Sequence, residues 1–241
     1  MSERTLEEMR VAYEALEARI ADACKQSNRP RESVLLVWVS KFHPLEAVEN
    51  ALQLGATDFG ENRVQEAVEK FSVKRPGVRC HVIGPVQSNK LRHAATVADC
   101  IHSVADVKSV LKLERICGEL DKTLDILFQV NTSEEDTKSG VSMAEADQFL
   151  LSLPEAPHLR YRGLMTIGKN TGVAEDSREG FAFLRHLRDK MLARGGVFKD
   201  FTELSMGMTG DYEVAIEEGA DMIRVGTGIF GVRTKMGENG R

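Results

Sequence analysis

The stretch SVLLVWVSKFHPLEAVENALQLG, residues 33–55, holds one complete strand-to-helix step. Val34 to Val39 are six apolar residues in succession, the pattern of a short buried strand. Pro44 can open a helix, and the segment from Leu45 to Gly55 has helical patterning that stops at a glycine. Between them stands Ser40-Lys41-Phe42-His43. A lone lysine at a strand end is ordinarily a solvated charge, because Lys is mostly exposed. Any other role for Lys41 has to come from its surroundings.

The same alternation recurs along the chain. Short apolar runs fall at about 34–40, 56–59, 79–83, 98–102, 124–130, 160–166, 202–205 and 222–225, with helical segments such as 178–196 between them. Alternating strands and helices imply parallel strands joined by crossovers, and eight such strands fit a chain of 241 residues. The expected fold is an α/β chain forming a single (β/α)8 TIM-type barrel, with a doubly wound open sheet as the second arrangement. With no linker rich in Pro, Gly or Ser and no repeat, residues 1–241 read as one domain. Leu6, Met9, Tyr13, Leu16 and Ile20 form a helical stripe, so residues 1–30 predict an extra N-terminal helix. Little chain follows the eighth strand, so a full last helix is not expected and the N-terminal helix covers its place. Residues 234–241 read as a flexible tail.

Composition narrows the function. A chain 42% hydrophobic and 29% charged is ordinary for a soluble globular protein. A net charge of −5 argues against a general nucleic-acid or anionic-membrane binder, which needs clustered Lys and Arg. No stretch has the length of a signal core or a bilayer span, and Cys24, Cys80, Cys100 and Cys117 are scattered like reduced thiols, so a cytoplasmic protein is expected. The histidines show no metal-ligand spacing, so no metal is expected.

Barrels build their sites on the loops that follow the strands. On that side fall Lys41, FGENRVQE (59–66), HVIGPVQSNK (81–90), QVNTSEEDTKSG (129–140) and GLMTIG (163–168). LSMGMTGD (204–211) follows the seventh strand and RVGTGIFG (224–231) the eighth, each mixing glycine with Ser or Thr. Glycine lets backbone N–H groups approach an anion, and these two loops are a common barrel phosphate site, although tight turns alone also use glycine. The first and eighth strands are neighbours in a closed barrel, so Lys41 stands beside those loops. A lysine in a partly desolvated pocket near a phosphate can form a Schiff base with an aldehyde. Pyridoxal 5′-phosphate combines that aldehyde with that phosphate. Arg224 alternates with Met222 and Gly226 on one strand face, where it can donate to a pyridine nitrogen; a solvated or ion-paired arginine is the plainer alternative.

VSK (39–41), FGENRVQE, HVIGPVQSNK, IHSV (101–104), QVNTS (129–133), GLMTIG and LSMGMTGDYEVAIEEGADMIRVGTGIFG (204–231) resemble, in order and spacing, the pyridoxal phosphate homeostasis protein family over residues 34–233. Its members look like the N-terminal barrel of alanine racemase standing alone. The resemblance implies Lys41 as the Schiff-base lysine, Asn62 beside the cofactor and Arg224 facing the pyridine nitrogen. It also implies Ser205, Gly226 and Thr227 as the phosphate cradle, with Met206 and Gly207 lining it. Two departures are Phe42-His43, where members often carry a small polar or basic residue before the proline, and Arg63, where an aromatic usually follows the asparagine.

What remains is whether the chain is an enzyme. Two-base racemisation needs an acid/base on the far face of the cofactor, which alanine racemases supply as a tyrosine from a separate domain. Here the tyrosines are Tyr13, Tyr161 and Tyr212, and Tyr212 reads as a packing residue at a helix start. Guanidinium cannot accept a proton, so Arg224 leaves the ring a poor electron sink. The expected function is reversible binding of the cofactor, buffering it and delivering it to apoenzymes, without robust turnover and with no catalytic residue assigned. The alternatives are an amino-acid racemase and a Schiff-base lyase or isomerase of a phosphorylated sugar. A monomer is expected, with a weak dimer as the other state.

Overall fold

In the first helix Thr5 accepts the Glu8 N–H and Glu8 returns a bond to the Thr5 N–H, a reciprocal cap that fixes where the helix starts. In the computed structural model, which describes residues 4–133 and 139–231, this helix is α1 (Leu6–Gln26). There follow β1 (Leu35–Val39), α2 (Leu45–Gln53), β2 (Asp58–Glu61), α3 (Val64–Phe71), β3 (Arg79–Val82), α4 (Leu91–Val97), β4 (Cys100–Val104) and α5 (Val107–Glu119). The second half runs β5 (Leu124–Asn131), β6 (Val141–Ser142), α6 (Met143–Leu151), β7 (Leu159–Met165), α7 (Arg178–Arg194), β8 (Glu203–Ser205), α8 (Tyr212–Glu217), β9 (Met222–Val225) and α9 (Thr227–Phe230).

The strands are ordered β4-β3-β2-β1-β9-β8-β7-β5, and β4 also pairs with β5, which closes the circle and rules out the open sheet. The pairs are parallel, so the eight strands form the expected barrel. The two-residue β6 pairs in parallel with the last residues of β5 and had no sequence signal. Two strands are shifted from the expectation by two residues at each end. β2 runs on through Gly60 and Glu61, which hydropathy excludes, because Glu61 is buried against Lys70. β4 starts at Cys100 rather than 98 and reaches Val104.

The main core lies between the strands and the helices, while Val37, Cys100, Leu127, Met165 and Met222 form a separate apolar cluster. Among the described residues, α9, four residues long, is the one element after β9. α1 packs on α8, α9 and α2, and Arg4 donates to the carbonyls of Gly228 and Ile229. Trp38 lies between Tyr13 of α1, tilted to it at 4.8 Å, and Phe230 of α9, edge-on at 6.2 Å. The N-terminal helix thus packs over the barrel beside α8 and the short α9, the side on which it was expected. The tail at 234–241 lies outside the described residues. Among the described residues no helix is long and apolar enough to cross a membrane.

Gly163 sits where the β5–β7 register shifts, at φ +154°, and a Cβ there would lie 1.8 Å from the Glu203 carbonyl oxygen. No side-chain rotation relieves a backbone clash, so Gly163→Ala is expected to lose at least about 3 kcal/mol, the upper part of the usual range for single substitutions. Urea unfolding checks this, and a shift under 1 kcal/mol would contradict it.

Candidate functional site

At the C-terminal ends of the strands lies a cavity of about 250 Å³. Its wall includes Lys41, Asn62, Arg224, Gly226 and Thr227 of the expected residues. Lys41 comes from the turn after β1, and the backbone on both sides of it is pinned. Ser40 Oγ donates to Glu61 Oε1 at 2.6 Å, and Lys70 Nζ donates to the Ser40 carbonyl and to Glu61 Oε1, both at 2.8 Å. The Phe42 N–H donates to Glu66 at 2.6 Å, and Phe42 holds a left-handed φ of +65°. Glu61 is fully enclosed, and burial raises its pKa even though Lys70 and Ser40 oppose the shift. A buried ion pair with good geometry is costly to break, so this one fixes the strand end that carries Lys41.

Asn62 reaches the pocket because Gly84, after β3, lets two loops touch: a Cβ on Gly84 would lie 2.3 Å from the Asn62 carbonyl. Gly226 plays the same part between β9 and β1, where a Cβ would lie 2.9 Å from the Val39 carbonyl. α9 begins directly after it, and the first N–H groups of a helix are unused within the helix. Arg224 is 4% exposed, and burial pulls its pKa down to about 10, so it stays a cation at neutral pH. Its Nη1 donates to Ser205 Oγ and its Nη2 to the Thr166 carbonyl, both at 2.7 Å. With two donors pinned inward, a fixed guanidinium faces the cavity and favours an anionic or electron-rich ligand.

The expectation for the loop after β8 differs from the structure. Ser205 is the last residue of β8, and its hydroxyl is engaged inside the barrel. Met206 is completely buried in the main core. Gly207, at φ +91°, packs on α8, where a Cβ would lie 2.6 Å from that of Ala215. The cavity wall takes Met208 and Thr209 instead. Asp211 holds this turn, accepting from the Met208 N–H at 2.7 Å and from Ser177 Oγ at 3.3 Å. The motif was legible, but strand periodicity places Ser205 and Thr209 on one face, and only the turn at Gly207 separates them.

The alanine racemase N-terminal domain family matches residues 11–234. The pyridoxal phosphate homeostasis protein of Vibrio alginolyticus is 42% identical over 214 residues, covering 87% of this chain and 91% of that one. This chain belongs to that family. PipY of Synechococcus elongatus, solved with pyridoxal phosphate (PLP) bound, is 36% identical, with a TM-score of 0.76 over 88% of this chain and 100% of that chain. Alanine racemase of Clostridium difficile, at 14% identity and a TM-score of 0.68 over 95% of this chain and 57% of that chain, shares the fold.

Both departures from the homeostasis-family pattern are structural partners. Arg63 lies over the Phe42 ring, 4.9 Å from its centroid, and His43 stacks on Phe230 at 5.1 Å while lining the cavity. Sequence reading missed His43, Gln129, Ser139 and Thr209 as wall residues. Gln129 and Ser139 fall within the quoted QVNTSEEDTKSG stretch, yet nothing in it marked which of its polar residues face the cavity.

Proposed function

We propose that this chain is a single-domain PLP carrier of the cytoplasm, which binds the cofactor covalently and reversibly through Lys41, buffers it and releases it to apoenzymes. The observation that carries the reading is the convergence of Lys41, Arg224, Thr209 and the Gly226-Thr227 turn on one cavity. These residues fit the group: an amine for the aldehyde, a cation for the ring nitrogen, and hydroxyls with a close-approach glycine for the phosphate. When bound, the cofactor supplies an aldehyde that condenses with a primary amine and a ring that can draw electrons. Lys41 provides the amine. Arg224, which donates and does not accept, would leave a facing ring nitrogen unprotonated and so weaken the ring as an electron sink. Thr209, Thr227 and the backbone at Gly226 would hold the phosphate, Asn62 would border the ring, and Ser205 would act through Arg224. The buried free cysteines support a reducing compartment.

Weak catalysis follows from what faces the cavity. The Tyr212 hydroxyl is buried and has no hydrogen-bond partner among the described residues, and its ring lies under Arg19 at 5.4 Å. It is a packing residue rather than a far-side acid/base, so Tyr212→Phe is expected to leave stability unchanged or up to about 1 kcal/mol higher. Thermal melts check that.

Purified protein mixed with PLP should turn yellow and retain the cofactor through desalting; no bound cofactor would favour the phosphorylated-sugar reading. Exchange of the α-proton of L-alanine in heavy water, followed by NMR, separates carrier from racemase. We expect a rate at least a hundredfold below the roughly 1 s⁻¹ floor of dedicated enzymes. Exchange above that floor would make the racemase reading the better one.

A further inference from the structure

A file of buried polar side chains leads from the pocket floor across the barrel interior. Arg224 Nη1 lies 2.7 Å from Ser205 Oγ, Ser205 Oγ 2.9 Å from His102 Nδ1, His102 Nε2 2.9 Å from His81 Nδ1, and His81 Nε2 2.9 Å from Asp58 Oδ1. Ser205, His102 and His81 are completely enclosed, and Arg224 and Asp58 nearly so. The five residues stand on β9, β8, β4, β3 and β2, so no local motif reveals them.

The two ends set the direction of every bond. A guanidinium has only donors and an ionised carboxylate only acceptors. Burial raises the Asp58 pKa, but His81, Thr57 and Arg79 outweigh it and leave the carboxyl below its ordinary value. Ser205 Oγ accepts from Arg224, so its own proton goes to His102 Nδ1. His102 then donates from Nε2 to His81 Nδ1, and His81 donates from Nε2 to Asp58. Each of the four bonds then joins one donor to one acceptor with both rings neutral.

The opposite direction requires one more proton. His81 would be an imidazolium, and His102 would donate from Nδ1 to a Ser205 oxygen already accepting from Arg224, which strips the hydroxyl proton of its acceptor. Extra positive charge here would meet Arg224 at one end and Arg79 at the other, against Asp58 and Asp125 below and Asp211 near the pocket. A bridging metal ion is the competing explanation, because Cys100 Sγ lies close to both rings. Two nitrogens on a tetrahedral zinc at about 2.05 Å stand about 3.3 Å apart. The ring nitrogens here are 2.9 Å apart, a hydrogen-bond distance.

We propose that this file is a polarised relay in which His102 and His81 are positioning residues that hold Arg224 as a donor into the pocket and couple the pocket ligand to Asp58 on the far side of the barrel. The identity of that ligand rests on the PLP reading; the direction of the bonds does not. Nitrogen-15 histidine NMR on the full chain without ligand should show His81 and His102 each protonated on Nε2 alone. His102 protonated on Nδ1, the state needed by an extra proton or by a bridging metal ion, would overturn the proposal.

Asp58→Asn ends the file in an amide that can donate or accept, and Ser205→Ala cuts it beside Arg224; the second variant serves if the first fails to fold. In either, the Nδ1-protonated form of His102 should rise at least tenfold, and the visible band of bound PLP should shift. A merely structural role would lower the melting temperature and leave tautomers and band unchanged, which also overturns the relay. If the wild-type tautomers are as stated but added PLP gives no band, the relay stands and the ligand reading fails.

Discussion

Lys41→Ala abolishes covalent capture of PLP. In the wild-type chain, incubation with PLP followed by borohydride should add one reduced cofactor to Lys41, seen by intact mass and peptide mapping. The variant should take up at least a hundredfold less at the same cofactor concentration. The reason is proximity. Lys41 is the lysine on the wall of the cavity among the described residues, and its backbone is pinned through Ser40, Glu61, Lys70 and Glu66. A reactant held in place gains an effective concentration far above that of free amines in solution. Lys90, after β3, is not on the wall. In the wild-type protein, label found mainly on Lys90, or on Lys138, which lies outside the described residues, would sink the assignment. Lys41→Ala should still bind some PLP without a covalent bond, because the phosphate contacts remain.

Pyridoxal lacking its phosphate should bind about a thousandfold more weakly than PLP. Thr209, Thr227 and Gly226 line the cavity, and on the proposed reading they would offer three donors to a phosphate. Hydrogen bonds to a charged group contribute about 1.5–3 kcal/mol each. Three at the low end give about 4.5 kcal/mol, which is about a thousandfold in Kd. Thr209→Val should then cost about tenfold by itself. Absorbance titration measures all three affinities. Equal binding of pyridoxal and PLP would remove the phosphate cradle, and a wild-type affinity in Thr209→Val would return the hydroxyl role to another side chain.

The contrast between Thr209 and Ser205 shows how far sequence could reach. Both lie in LSMGMTGD, and both are hydroxyl residues in a glycine-bearing loop after a strand. Their division of labour depends on where β8 stops and on the close packing of Gly207 against α8. Glu61 makes the same point for the fold. A charged residue after Gly60 reads as loop, yet it ends β2 in full burial because Lys70, nine positions later, turns back to it across α3.

The sequence by itself determined a parallel α/β chain, closed into a barrel only by the β4–β5 pairing, and which residues stand at its strand ends. Apolar runs alternating with helical periods leave few ways to bury both faces of each strand, and Lys41, Arg224 and the glycine-bearing loops lie at strand ends in every version of that fold. These signals are local, carried by residues a few positions apart. Tertiary structure alone decided which side chains share the cavity and what stands beneath them. Ser205 and His102 are 103 positions apart, and His81 and Asp58 are 23. Their bonds form only because barrel closure brings β2, β3, β4, β8 and β9 around one interior, where water is excluded and each buried polar atom must find a partner on another strand.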